Sequence, residues 1–370
     1  MARTDRSRRR EGRQGWRCLA LLVALVPALS AARGQPCTAE TVSGLSGSWT
    51  HGADATSGAG DHGFPRKELP ALLRDLDRHR ELLERALGEP RGFDVKWHKV
   101  VGLEPLVRGG PQPFALEAGL FHYRCEGGKV AILSDATGEA DIHANGLFQL
   151  VRGTGRELGG KEIHQLAYAL GELRGFPLFE SPFTASLGER TAVTEWALLV
   201  AKPGRLPFRY ITRGELLDYM QGELQHERRK AGEVKDPAAA ARLAAVYDAK
   251  LARVAAVRRS LGATQLGEPA SLRSGAIAPT SVDASWGFVE PKTDRAHRCT
   301  VDCRHGLRLV TVDPAYLDRT RPRGAPQLMV VSFTWTASAR ERYLGPFDEA
   351  LRDAFFQRLD VGALAAMVGR

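Results

Sequence analysis

The sequence predicts an α+β protein, mainly antiparallel sheet with a long helical hairpin and flanking helices. Short alternating runs punctuated by Gly and Pro fill residues 93–183, where antiparallel strands are expected. Between 213 and 262 the apolar period lengthens to that of paired helices. Two further strand-like runs and a closing amphipathic segment follow.

The first element is a leader. Residues 1–34 begin with Arg3, Arg6, Arg8, Arg9, Arg10, Arg13 and Arg17 and pass into the uncharged run Cys18 to Ala32. That run is too short to cross a hydrocarbon core of about 30 Å, and Ser30 and Ala32 offer small residues for cleavage, so a secretory signal peptide is expected. The protein is then exported, periplasmic or extracellular after cleavage. Cys37 follows Arg33, Gly34, Gln35 and Pro36, which is no lipid-attachment pattern.

The formal charge of +9 is concentrated in that leader, whose seven arginines oppose only Asp5 and Glu11; the remainder carries about +4. So small a surplus excludes a nucleic-acid surface or a polybasic membrane patch. With 43% apolar and 26% charged residues the chain has the composition of an ordinary globular protein. No later run reaches the length of a membrane span, so no transmembrane segment is expected.

Beyond the leader stand Cys37, Cys125, Cys299 and Cys303. An even count in an oxidising compartment favours disulfides, and the economical pairing joins Cys299 to Cys303 and Cys37 to Cys125. His297 and His305 flank the close pair, but a zinc site would need reduced thiolates. No metal and no cofactor are expected.

Residues 35–64 are polar and Gly/Ser-rich, expected as a flexible segment. From 65 to 262 an α+β domain is expected. It opens with a helix carrying Leu69, Leu72, Leu73, Leu76, Leu83 and Leu87 and ending at Gly88. The run 161–173 scores as strand or helix. Residues 194–201 read as an apolar strand. Thr212 and Glu215 form a capping box opening a helix striped with Leu216, Leu217, Met220 and Leu224. Asp236 and Pro237 start its partner, with Leu243, Val246, Tyr247, Leu251, Val254, Val257 and Leu261 on one face. Residues 263–282 read as a linker. The C-terminal portion, 283–370, holds strands at 306–313 and 326–336 and a helix over 347–368.

Chemistry is sparse. Residues 155–161 place Gly and Lys as a phosphate loop does, but Glu162 occupies the hydroxyl position, so a β-turn is the better account. His51, Asp54, Asp61 and His62 sit in a polar low-complexity loop. Neither a nucleophile elbow nor a zinc-protease helix occurs. Asp75 with Asp77 and Asp348 with Glu349 lie on solvated helix faces. A carboxylate-pair hydrolase remains open, because its two acids are commonly far apart in sequence.

Two segments gather aromatic and basic residues at strand ends: Arg209, Tyr210 and Arg213 in one, Tyr316, Arg321 and Gln327 in the other. If the loops meet, they form a pocket for a small anionic or sugar ligand. The segments Arg205 to Arg213 and Asp313 to Gln327 resemble a group of exported bacterial proteins of unknown function. The resemblance implies export and a shared α+β fold, and supplies no activity. The expected function is a non-catalytic envelope or secreted binding module, its partner that ligand or an envelope protein. The alternative is a secreted hydrolase acting on polysaccharide or peptide. A binding pocket would lose ligand affinity in Arg213→Ala, whereas a hydrolase would lose turnover only when a buried, pKa-raised acid is replaced.

Overall fold

The computed structural model describes residues 37–56, 64–147, 149–181, 193–273, 277–291, 306–336 and 344–369. The expected leader and the expected Cys299–Cys303 pair, with His297 and His305, lie outside the described residues.

Mixed helices and largely antiparallel sheets make an α+β fold, as the alternating runs require. In chain order the elements are α1 (Ala39–Ser43), β1 (Trp49–His51), α2 (Leu69–Leu87), β2 (Phe93–Val101), β3 (Phe114–Glu126), β4 (Lys129–Ile132), β5 (Gly138–Ala144), β6 (Val151–Leu158), β7 (Lys161–Leu166), β8 (Tyr168–Leu173) and β9 (Phe176–Ser181). They continue with β10 (Val193–Val200), β11 (Phe208–Tyr210), α3 (Arg213–Ala231), α4 (Pro237–Arg259), α5 (Ala263–Leu266), β12 (Ser271–Leu272), β13 (Leu307–Val312), β14 (Met329–Thr336), α6 (Leu344–Arg358) and α7 (Val361–Met367).

A nine-stranded sheet runs β1-β2-β3-β5-β14-β10-β9-β8, with β4 beside β3. A five-stranded sheet runs β11-β13-β7-β6, with β12 beside β13. Strand β14, from the far end of the chain, fills the centre of the larger sheet between β5 and β10. The ambiguous run at 161–173 is two strands, β7 in the smaller sheet and β8 in the larger, so the chain changes sheets at Ala167.

Three apolar cores stack these parts into a helix, sheet, sheet, helix order. One face of the large sheet, with Val95, Leu116, Ile142, Val331 and Phe333, packs against Leu76 and Leu83 of α2, Phe355 of α6 and Leu364 of α7. Its opposite face offers Ala197, Leu199 and Val330 to Val151, Leu166, Val310 and Val312 of the small sheet. The outer face of the small sheet, through Ile163, Leu272 and Leu309, receives Leu216, Leu217, Met220 and Leu224 of α3 and Val254 and Val257 of α4. Burying each such side chain contributes about 1.5–3 kcal/mol before entropy is counted.

Local signals explain most boundaries. The Thr212 hydroxyl accepts from the Glu215 amide at 3.2 Å while Glu215 Oε2 accepts from the Thr212 amide at 2.8 Å, closing the capping box of α3. Asp236 caps α4 by accepting from the Ala238 amide at 2.9 Å. Leu243 and Val246, read as part of an apolar stripe, are exposed, because the buried contacts of α4 come from its C-terminal half at Val254 and Val257. The terminal helix expected over 347–368 is two helices: Asp360 accepts from the Ala363 amide at 2.9 Å and restarts the helix as α7. Within 263–282, read as a linker, β12 pairs with β13. A disulfide joins Cys37 to Cys125 at the end of β3. No described helix is long and apolar enough to cross a membrane.

Candidate active site

The small sheet covers only part of the inner face of the large one. Over β14 and β10 that face is apolar. On β2, β3 and β5 it changes character, because alternation sends Trp97, Leu116, Leu120 and Ile142 to the helices and leaves His98, Glu117, Glu139, Asp141 and His143 on the other side. Strand register sets His98, Glu117, Asp141 and Ser332 in one row across four strands. Directly opposed pairs stand about 4.5–5.5 Å apart at Cβ, so each group feels its neighbour's charge.

Solvent access grades across the patch. Glu139 is exposed, Glu117 and His98 keep 31% and 23% of their side-chain surface, and Asp141 and His143 keep 8% and 5%. His98 Nε2 lies 3.1 Å from Glu117 Oε2. That hydrogen bond raises the His98 pKa against the effect of burial. Burial works to raise the Glu117 carboxyl too, but the His98 bond and the charges of His143 and His98 hold it below its ordinary value.

Asp141 behaves oppositely. Burial first, then the charge of Glu117, lifts its pKa well above the ordinary carboxylate value, outweighing the hydrogen bond that Asp141 Oδ1 accepts from the Ala118 amide at 3.2 Å. Glu139, two residues along the same face, is pushed up to about 7 by burial and by the charges of Asp141 and Glu117. Glu139 is nonetheless exposed, so the surrounding protein and the charges of Asp141 and Glu117 penalise its ionised form without closing it off from water.

His143 completes the patch. Burial lowers its pKa against the charges of Glu117 and Glu139, and Gln149 Nε2 donates to its Nε2 at 2.6 Å, so the neutral form of the ring carries its proton on Nδ1. Among the described residues that buried Nδ1 has no hydrogen-bond partner, nor has the Ser332 hydroxyl at the end of the row. Unspent polar groups at this depth beside Asp141 are what a bound polar group would satisfy. Among the described residues no three His, Cys, Asp or Glu side chains converge to hold a metal ion. The patch is suited to proton transfer: the Asp141 carboxyl is raised well above its ordinary value, that of Glu139 is raised to about 7 at the surface, and that of Glu117 is held down by a histidine.

The pocket residues expected from sequence are dispersed among other tasks. Arg209 pairs with Glu215 at 2.9 Å. Arg213 pairs with Glu268 at 2.9 Å, approaches Glu290 at 3.9 Å and stacks on Phe288 at 5.4 Å. Tyr316 is buried; its hydroxyl accepts from the Lys202 amide at 2.8 Å and donates to the Gln327 carbonyl at 3.0 Å. Gln327 is also buried, exchanging side-chain bonds with the Asp318 backbone at 2.7 Å each way. Arg321 lies close enough to Asp318 to lower its pKa, after the stronger effect of Thr320. Tyr210 lines a cleft, and its cationic companion there is Arg308, which is not one of the six.

Sequence reasoning passed over His98, Glu117, Asp141 and His143. The signal that could have found them is the pair of strands FALEAGL and GEADIHA, each carrying acid on the face opposite its apolar set. Their meeting becomes visible only once β3 and β5 are known to be neighbours. No protein-family model matches the chain, and no curated protein or solved structure proved significantly similar to it.

Proposed function

We propose that the protein is a secreted hydrolase acting on polysaccharide or peptide, with its acid and base on the uncovered inner face of the large sheet. One observation carries this reading: Glu117 and the acids of β5 lie together on one face of the large sheet, from buried Asp141 to exposed Glu139, with their pKa values driven apart, Glu117 down and Asp141 and Glu139 up. Hydrolysis needs one group to protonate the leaving atom and another to take a proton from water. Glu139, near neutrality and exposed, is the general acid. Glu117, held ionised by His98, is the general base. Asp141, whose carboxyl is raised well above the ordinary range by burial and by Glu117, stands opposite Glu117 and two residues from Glu139.

Export belongs to the same reading. It is supported by the arginine-dense head, the short apolar run and the Cys37–Cys125 bond, a covalent brace that persists in oxidising compartments. The paired helices α3 and α4, taken as the expected hairpin, back the small sheet from behind and take no part in the chemistry.

The test is turnover by the exported chain of a panel of aryl glycosides, cell-wall glycans and quenched peptides, with Glu139→Gln and Glu117→Gln compared at equal thermal stability. Wild type should hydrolyse at least one class, and either substitution should lower kcat by about a hundredfold or more. Silence of the wild type across the panel, or variants with unchanged kcat, would overturn the assignment. A non-catalytic binding module is the second reading, favoured by the separate cleft at Tyr210.

A further inference from the structure

The cleft lies where β8, β11 and β13 meet, and it measures about 550 Å³ counting its open mouth. Residues 166–171 line it consecutively. Leu166 closes β7 and Ala167 is the crossover, whereas Tyr168, Ala169, Leu170 and Gly171 are successive residues of β8; strand side chains alternate between faces, so these four line one cleft only if β8 presents its backbone edge. β8 is the outermost strand of the large sheet, paired only with β9, and its other edge has no strand beside it among the described residues. The edge opens further at the bulge between Ala169 and Gly171, where Gly171 takes φ +121° and a Cβ would meet nothing within 4 Å.

Two polar groups face this edge without commitments of their own. Tyr210 and Arg308 are diagonal neighbours across β11 and β13, with the Arg308 guanidinium 5.5 Å from the centre of the Tyr210 ring. Among the described residues Arg308 has no carboxylate within ion-pair distance, and the Tyr210 hydroxyl has no hydrogen-bond partner. Arg209, Arg213, Arg228 and Arg258 are each matched to a carboxylate. An arginine fork stacked on a tyrosine, beside a strand edge that no other strand pairs among the described residues, is the chemistry that takes an extended chain by its terminal carboxylate.

We propose that this cleft binds an extended peptide through its C-terminal carboxylate. The carboxylate sits on the Arg308 guanidinium with the Tyr210 hydroxyl donating to it, and the preceding peptide groups pair with the free edge of β8. The site is separate from the Glu117–Glu139 patch and stands or falls independently of the hydrolase reading.

The experiment uses the chain from residue 33 and an array of random-sequence hexapeptides, each displayed with a free and with an amidated C-terminus. Binders should be found among the free acids, and amidation should weaken each by about tenfold or more, a loss on the scale of one charge-assisted bond. Arg308→Gln should weaken the free acids by the same factor and leave the amides unchanged, with Arg308→Lys intermediate. Equal melting temperatures of the variants separate this loss from unfolding. Absence of any free-acid binder, equal binding of amides, or indifference to Arg308→Gln would each overturn the proposal. Displacement of the peptides by acetate at matching affinity would overturn the role of the β8 edge.

Discussion

His98 Nε2 and Glu117 Oε2 meet 3.1 Å apart across β2 and β3, and each stabilises the charged form of the other. Burial alone would drive His98 toward the neutral state; the hydrogen bond from Glu117 reverses the direction. Glu117→Gln removes the anion and keeps the shape. The His98 pKa should then fall below its ordinary value of 6.5. Imidazole titration by NMR reads this directly, and an unmoved midpoint would mean the two groups do not titrate together.

Acid should weaken the fold through His79. This imidazole is fully buried, stacks on Phe114 with centroids 5.8 Å apart and has, among the described residues, no hydrogen-bond partner on either nitrogen. Burial, helped by the charge of His143, pushes its pKa from 6.5 to about 3. Below 6.5 the unfolded chain takes up a proton that the native state refuses. The contribution is therefore complete above that pH and is lost toward 3, at up to about 1.4 kcal/mol per pH unit. Asp141 and Glu139 act in the opposite sense, since raised carboxyls hold their protons longer in the native state and stabilise it as pH falls. Urea midpoints from pH 7 to 4 should decline more steeply for wild type than for His79→Leu, because both share the carboxyl contribution. Parallel curves would contradict the assignment.

What could be read from sequence follows the range of the interactions involved. The capping box at Thr212 and Glu215 and the Asp236 cap depend on residues three or fewer apart, and these are legible. Strand alternation is equally local, so residues 93–183 disclose their sheet. Partner choice is not local: Asp141 acquires its environment from Glu117 on β3 and Ser332 on β14, the latter from the far end of the chain. The partners of Arg213, Glu268 and Glu290, come from residues after α4, so its neighbours in sequence do not disclose them. Glu215, which holds Arg209, was visible but had already been assigned to the helix cap.

The Cys37–Cys125 bond closes a sequence separation of 88 and ties α1 to the end of β3. By loop entropy it restricts the unfolded chain by about 4 kcal/mol. Cys37→Ala with Cys125→Ala should lower the urea midpoint accordingly while leaving the unfolding cooperative. A reductant should produce the same shift in wild type and none in the double variant. If reduction leaves wild type unchanged, the bond adds nothing beyond the packing of Val42.

Tyr316 separates a structural from a ligand-binding role for the second aromatic loop. Its hydroxyl is spent twice, accepting from the Lys202 amide and donating to the Gln327 carbonyl, while Lys202 Nζ and the Arg205 guanidinium lie 5.0 and 5.7 Å from the ring centre. Tyr316→Phe preserves the ring and its cations but strands a donor and a buried acceptor. The cost should be about 1–3 kcal/mol, because unsatisfied backbone groups lose their full solvation. Gln327→Ala should be destabilising for the same reason, since both of its side-chain bonds go to Asp318. Neither substitution should alter carboxylate-peptide binding at Arg308. A Tyr316→Phe protein as stable as wild type, but with weakened binding, would move this residue from the framework of the loop to the ligand.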